Sequence, residues 1–296
     1  MITLVKGRPL TVRTGRISGC FVLCFLVFVL PCKVAGQWWD LGAGTGVSAY
    51  AGDIKTPLFS VRPGAGGMVY GKYNFSPHWG LRIQLAQRRV LAADSLAGDS
   101  VQIRRNLSFR SDILEAGLDL EFNFWPYVPG SRTKKSSPYL GVGVRRFFFD
   151  PMARYKGALV ALQPLGTEGQ GLGGKPGLGL LGLDEERYAL NAWSFPVTFG
   201  FRYNLRQNHG FGIEWTYCYT TTDYLDDIKG KYFDASWLRL YRSSTAADLS
   251  DRSVELGLPS RDPLSQRGVN AYNDAYWSLM AYYTYSIPSR RCRIKS

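Results

Sequence analysis

"DILEAGLDLEFNFW", residues 112–125, alternates without a break. Leu114, Ala116, Leu118, Leu120, Phe122 and Phe124 fall on one side, and Glu115, Gly117, Asp119, Glu121 and Asn123 on the other. A period of two marks a β-strand, because successive side chains leave an extended backbone on opposite faces. One face is wholly apolar and the other carries three acids. Such a strand separates two very different media.

The pattern recurs along the chain. "WWDLGAGTGVSAYAGD" sets Trp39, Leu41, Val47 and Ala49 against Asp40 and glycines. "SVRPGAGGMVYGKYNF" is Gly-rich and ambiguous in phase. "WGLRIQLAQRRV" sets Leu81, Ile83 and Leu85 against Arg82, Gln84 and Arg88, and "PYLGVGVRRF" sets Leu140, Val142 and Val144 against Arg145. "NAWSFPVTFGFRYNL" places Trp193 to Tyr203 opposite Ser194, Thr198 and Arg202. "GIEWTYCYTTTDYLDD" alternates as far as Tyr219 and then turns acidic. "YWSLMAYYTYSI", near the end, completes a set of eight.

Connections alternate in length as strictly as the residues do. Short ones lie at 75–78, 126–137 and 206–210. Long ones lie near 51–58, 92–111, 151–187 and 222–273. Eight strands with short turns at one end and long loops at the other predict an all-β, eight-stranded antiparallel transmembrane β-barrel of OmpA/OmpX-like size. Trp39, Trp79, Trp125, Tyr203, Phe211 and Tyr285 gather at the short-turn end, where an aromatic girdle belongs. A soluble β-sandwich also alternates, but it would place Glu115, Asp119 and Glu121 outside and leave the Phe195–Tyr203 face as its core.

Residues 1–36 read as a signal peptide. Lys6, Arg8, Arg13 and Arg16 precede an eleven-residue apolar run, Cys20–Leu30, and "VAG" follows, with cleavage expected after Gly36. The run is too short for a spanning helix, which needs about 20 apolar residues. Pro31 before Cys32 does not suit lipidation. The barrel then occupies 37–287, with a basic periplasmic tail at 288–296. Removing five basic residues with the signal lowers the formal charge from +13 to +8, and no segment concentrates a nucleic-acid footprint. Cys218 and Cys292 are expected as free thiols.

The lumen side carries both signs: Arg82, Arg88, Arg145 and Arg202 against Glu115, Asp119, Glu121 and Glu214. The register expected of neighbouring strands brings Arg82 towards Glu121 and Arg88 towards Glu115. A self-satisfied plug is the preferred reading and a narrow pore the alternative. No GxSxG, HExxH or phosphate loop occurs, and His78 and His209 fall in turns, so an enzyme, a cofactor and a small-molecule substrate are not expected. Asp223, Asp226 and Asp227 could bind calcium through carboxylate oxygens, but lack the Gly and terminal Glu of a calcium loop. They are read as the start of an exposed outer loop that they order through turn-type hydrogen bonds.

The strings "FRSDILEAGLDLEFNFWPY", "PYLGVGVRRFFFDPMARYKG", "LQPLGTEGQG", "GIEWTYCYTTTDYLDDIKGKYFD" and "RGVNAYNDAYW" occur in that order. Together they resemble the PorG-type outer-membrane barrels of the Bacteroidetes type IX secretion system over most of the mature chain. The most specific pieces are Pro164–Gly171 and Thr222–Asp227. "LGGKPGLGLLGLDEE" in the third outer loop and Asp150 before Pro151 depart from the pattern. The resemblance implies outer-membrane lipid and a PorK/PorN-like periplasmic ring as partners, and no catalytic residues. The features available to a ring are Arg132, Lys134 and Lys135 in a turn, and Arg290 and Arg291 in the tail. A free-standing OmpX-like barrel or narrow pore whose outer loops bind a ligand or surface partner is the alternative.

Overall fold

In the computed structural model, residues 37–54, 62–176, 178, 186–269 and 272–288 are described. The expected signal segment, its cleavage site, Cys292, Arg290 and Arg291 lie outside them.

Eight long strands close on themselves. They are β1 (Trp38–Ala51), β2 (Gly64–Asn74), β3 (Trp79–Ala93), β4 (Ser108–Asn123), β5 (Ser136–Tyr155), β7 (Asn191–Arg206), β8 (His209–Thr220) and β9 (Ala275–Pro288). Each pairs antiparallel with its neighbour in the chain, and β1 pairs with β9 from Trp38↔Pro288 to Ala51↔Ala275, which seals the cylinder. Closure leaves no open edge, the condition for a sheet to sit in hydrocarbon. A short ninth strand, β6 (Ala158–Ala161), pairs only with the outer end of β5. The third outer loop therefore begins at residue 156 rather than 151, and it opens with a hairpin that the alternation did not announce.

The pleat sorts side chains as the sequence does. Leu81, Ile83, Leu85, Leu114, Leu118, Phe199, Ile213 and Leu279 face outward and exposed, while Arg82, Gln84, Glu115, Asp119 and Glu214 are buried inside. All six residues of the expected aromatic girdle are exposed at the turn end. Where large inward side chains lie over the neighbouring strand, the paired position there is Gly: a Cβ on Gly42 would strike the Tyr70 ring, and one on Gly200 the Tyr139 ring.

The interior is stacked. A Met68, Tyr70, Ala86, Tyr139, Met280 and Tyr282 cluster lies among the buried charges. Towards the loop end, strand residues Val90, Ile113, Phe147, Phe149, Cys218 and Tyr276 pack with Leu162, Leu225, Ile228 and Leu249 from the loops. Loop side chains thus plug the mouth with apolar surface. Outside the plug, helices α1 (Ser100–Arg105), α2 (Ala235–Tyr241) and α3 (Ser244–Ser250) are each started by a side-chain cap, from Asp99, Asp234 and Ser243. Leu172, Leu178, Phe233, Leu238, Ala246 and Ala247 form a separate small core in this cap.

Candidate functional site

All eight barrel strands contribute to one buried polar network. Arg82 on β3 meets Asp119 at 3.3 Å, Glu121 at 3.2 Å and Glu214 at 2.7 Å. Arg145 on β5 bridges Glu115 at 2.8 Å and Asp119 at 2.9 Å, and Arg88 reaches Glu115 at 2.9 Å. Arg202 on β7 contacts Glu121 at 2.5 Å and lies 3.8 Å from the Tyr139 ring centroid. Tyr139 and Tyr276 donate their hydroxyls to Glu214 and Glu115. The sequence reading missed two members. Lys72 lies 3.2 Å from Asp40 and 3.3 Å from Glu121. Five cations (Lys72, Arg82, Arg88, Arg145, Arg202) thereby face five acids (Asp40, Glu115, Asp119, Glu121, Glu214). Buried charges survive in low dielectric only when paired in this way.

A closed cylinder that points Leu and Phe outward and balances its charges inward is inverted relative to a water-soluble fold. Its short turns and long loops segregate to opposite ends. The chain is an outer-membrane β-barrel. Its turns face the periplasm and its loops the outside. No helix among the described residues is long and apolar enough to cross a membrane.

At the outer end the barrel departs from expectation. The "TDYLDD" acids are not exposed: Asp223, Asp226 and Asp227 are all buried. Asp226 does form the expected turn-type bond, accepting from Ile228 N at 2.9 Å, but it also accepts from Tyr50 on β1 at 2.6 Å. Asp227 accepts from the Thr167 and Tyr188 hydroxyls, both at 2.6 Å. Asp226 and Asp227 therefore serve different partners. Among the described residues, no three His, Cys, Asp or Glu side chains converge on a metal position.

The cap is knitted by long-range polar contacts. Glu168 accepts from the backbone N–H groups of Lys229 and Gly230 and pairs with Arg267 at 2.9 Å. Gly166, Gly169 and Gly171 take φ of +59°, +84° and +73°, a left-handed path that lets Thr167 and Glu168 turn towards the fourth loop. The segments Pro164–Gly171 and Thr222–Asp227 thus dock on each other. Arg105 on α1 binds Asp94 at 2.7 Å and donates to the carbonyls of Arg267 and Asp53. Burial raises the Asp227 carboxyl to about 6 despite Arg267 and its hydroxyl partners. Burial, reinforced by Asp53, raises Asp223 to about 7.

At the periplasmic end, Arg132, Lys134 and Lys135 are exposed on an ordered turn. Val128 N donates to the Lys134 carbonyl, Asn204 N to that of Lys135, and Gly130 N to Asn204 Oδ1 at 3.2 Å. Arg206 is exposed at the end of β7, beside that turn. His78 Nδ1 contacts the Asn123 carbonyl at 2.8 Å, and His209 contacts the Tyr283 hydroxyl. Both histidines sit at this end. Cys218 is a free, buried thiol in the lumen.

Residues 19–158 match the family model DUF6089, described as a domain of unknown function. No curated protein matches the chain. Among solved structures, the barrel is similar to Ail, the attachment invasion locus protein of Yersinia pestis, in complex with the heparin analogue sucrose octasulfate. That match has 11% identity and a TM-score of 0.39, and covers 85% of this chain and 99% of that one. OprG from Pseudomonas aeruginosa matches at 14% identity and a TM-score of 0.39, covering 86% of this chain and 97% of that one. Neisserial surface protein A matches at 11% identity and a TM-score of 0.37, covering 84% and 96%. The assignment to the outer membrane stands on the barrel's closure and its inverted faces, not on these likenesses.

Proposed function

We propose that this barrel is a non-enzymatic outer-membrane component of a type IX secretion system that anchors a PorK/PorN-like periplasmic ring. The observation that carries the reading is the lumen. Its charges are mutually paired and its outer mouth is plugged by Leu225, Ile228 and Leu249. A barrel filled in this way works through its ends. At the periplasmic end, Arg132, Lys134 and Lys135 stand on a turn held against the neighbouring turn, and Arg290 and Arg291 extend the basic character in the tail at 288–296. The PorG-type strings supply the system. In this reading residues 1–36 are the export signal, removed after Gly36.

A pull-down of the tagged protein from outer membranes, read by mass spectrometry, tests the proposal. Ring lipoproteins should co-purify. Replacing Lys134, Lys135, Arg290 and Arg291 by Ser should weaken that recovery without changing barrel abundance. Unchanged recovery would refute the basic contact, and absence of ring proteins from the wild-type sample would refute the role itself.

The folded outer cap favours a second reading, a free-standing OmpX-like barrel whose loops bind a surface partner. A cleft of about 700 Å³ opens between the β5 end and the helical cap, lined by Arg154, Tyr155, Arg239, Asp248, Arg252 and Glu255. Under that reading, removing the cap loops abolishes function and the basic substitutions leave it intact.

A further inference from the structure

Tyr50, at the outer end of β1, touches both ends of the fourth outer loop. Its hydroxyl lies 2.6 Å from Asp226 Oδ2, near the start of that loop, and in short contact with Asp274 Oδ1 at the loop's return to β9. The same oxygen accepts the backbone N–H of Asp53 at 2.9 Å. A phenol has one hydrogen to give and two lone pairs to fill. One lone pair holds Asp53 N–H, and the single hydrogen satisfies only one carboxylate. The remaining contact requires a proton supplied by a carboxyl group. Two ionised carboxylates would set a carboxylate lone pair against a phenol lone pair in a buried site.

We propose that one proton is shared between Asp226 and Asp274 on the Tyr50 hydroxyl, and that it latches the outer cap to the barrel wall. The rest of each carboxyl is already used. Asp226 Oδ1 accepts from Ile228 N, and Asp274 Oδ2 accepts from Leu225 N at 2.9 Å. Asp53 from the first loop and Asp223 from the fourth face the pair and add negative charge. Tyr188 from the third loop faces Asp226 with a neutral phenol. The cation on α1 that faces the site, Arg105, is committed to Asp94. Lys229 offsets Asp223, and Arg267 is held by Glu168 and by the Asp227 carbonyl. The surroundings thus favour keeping the proton. Burial, reinforced by Asp223 and Asp53, raises Asp274 to about 8 against the hydrogen bonds from Tyr50 and Leu225 N, and burial and Asp274 hold Asp226 well above the ordinary carboxylate range.

The latch works in one direction. The closed cap binds more protons than the open one, so raising the pH opens it. Below the latch lie Ile113, Phe147 and Cys218 of the apolar plug. Release exposes the plug without breaking the barrel ladder.

The test uses the full-length protein in detergent micelles. Infrared spectra at about pH 7 are recorded for the wild type and for Asp274→Asn, whose amide reproduces the protonated carboxyl: it donates to Tyr50 and accepts from Leu225 N. The wild-type-minus-variant difference should contain a protonated carboxyl C=O band. Hydrogen exchange at 221–234, corrected for intrinsic rates, should accelerate with pH up to about 8. The variant should lose about one factor of ten per pH unit from that dependence. Asp226→Asn should behave alike, which guards against a folding defect in one variant. No difference band, or an unchanged pH slope in both folded variants, would overturn the latch.

Discussion

Thr167 donates its hydroxyl to Asp227 at 2.6 Å across 60 residues of sequence. This bond joins the third outer loop to the fourth, and with it the segments Pro164–Gly171 and Thr222–Asp227. Thr167→Val keeps the shape and leaves Asp227 one donor short. The cap should open more readily by about 1–3 kcal/mol, the range for an unsatisfied buried polar group. Faster hydrogen exchange at residues 221–234, with barrel strands unchanged, is the expected result.

Asp227 also sets a pH window. Its carboxyl titrates at about 6 in the folded cap against an ordinary 3.8. A raised carboxyl pKa means that the folded state holds the proton more tightly. Its share of cap stability is full below about pH 4, falls as pH rises to about 6, and is constant beyond, a change on the order of 3 kcal/mol. Asp227→Asn should flatten this acid-side slope in cap-resolved thermal melts. The Tyr50 latch should persist at higher pH.

The lumen network predicts a severe penalty for removing a single charge. Arg82→Met leaves Asp119, Glu121 and Glu214 facing one another without their shared guanidinium. Urea unfolding should show a loss of about 3–5 kcal/mol. Arg132→Ser, on an exposed turn, should leave the unfolding curve in place.

The lipid belt makes the opposite kind of prediction. Leu118 faces outward at mid-strand on β4, between Ala116 and Leu120. Leu118→Arg should destabilise the folded barrel in bilayers by about 2–4 kcal/mol, whereas Trp125→Arg at the girdle should lose about 0–1 kcal/mol. Similar effects at both positions in lipid vesicles would argue against the belt.

The barrel was legible in the sequence because strand pairing obeys a local rule. Once Leu114–Phe124 fixes one face, period two places Glu115 and Glu121 inside, and neighbouring strands bring them to Arg88 and Arg82. Lys72 escaped because β2 is rich in Gly, where the two faces differ little in polarity. Asp40 showed its face but not its partner for the same reason. The outer acids misled for a different reason. Asp226 finds Tyr50 176 residues away and Asp227 finds Thr167 60 away, and nothing in "TDYLDD" reports those distances. Helices α2 and α3 span seven residues each, too short for a helical period to stand out. The alternation also stops before β6, whose four residues pair only with the end of β5.

Single-channel recording in planar bilayers tests the sealed barrel most directly. With Arg82, Arg145 and Arg202 paired inside the lumen and Leu225, Ile228 and Leu249 plugging its mouth, purified protein at neutral pH should insert and leave the current at the level of bare lipid. Reproducible stepwise conductance from the wild-type chain would contradict the account.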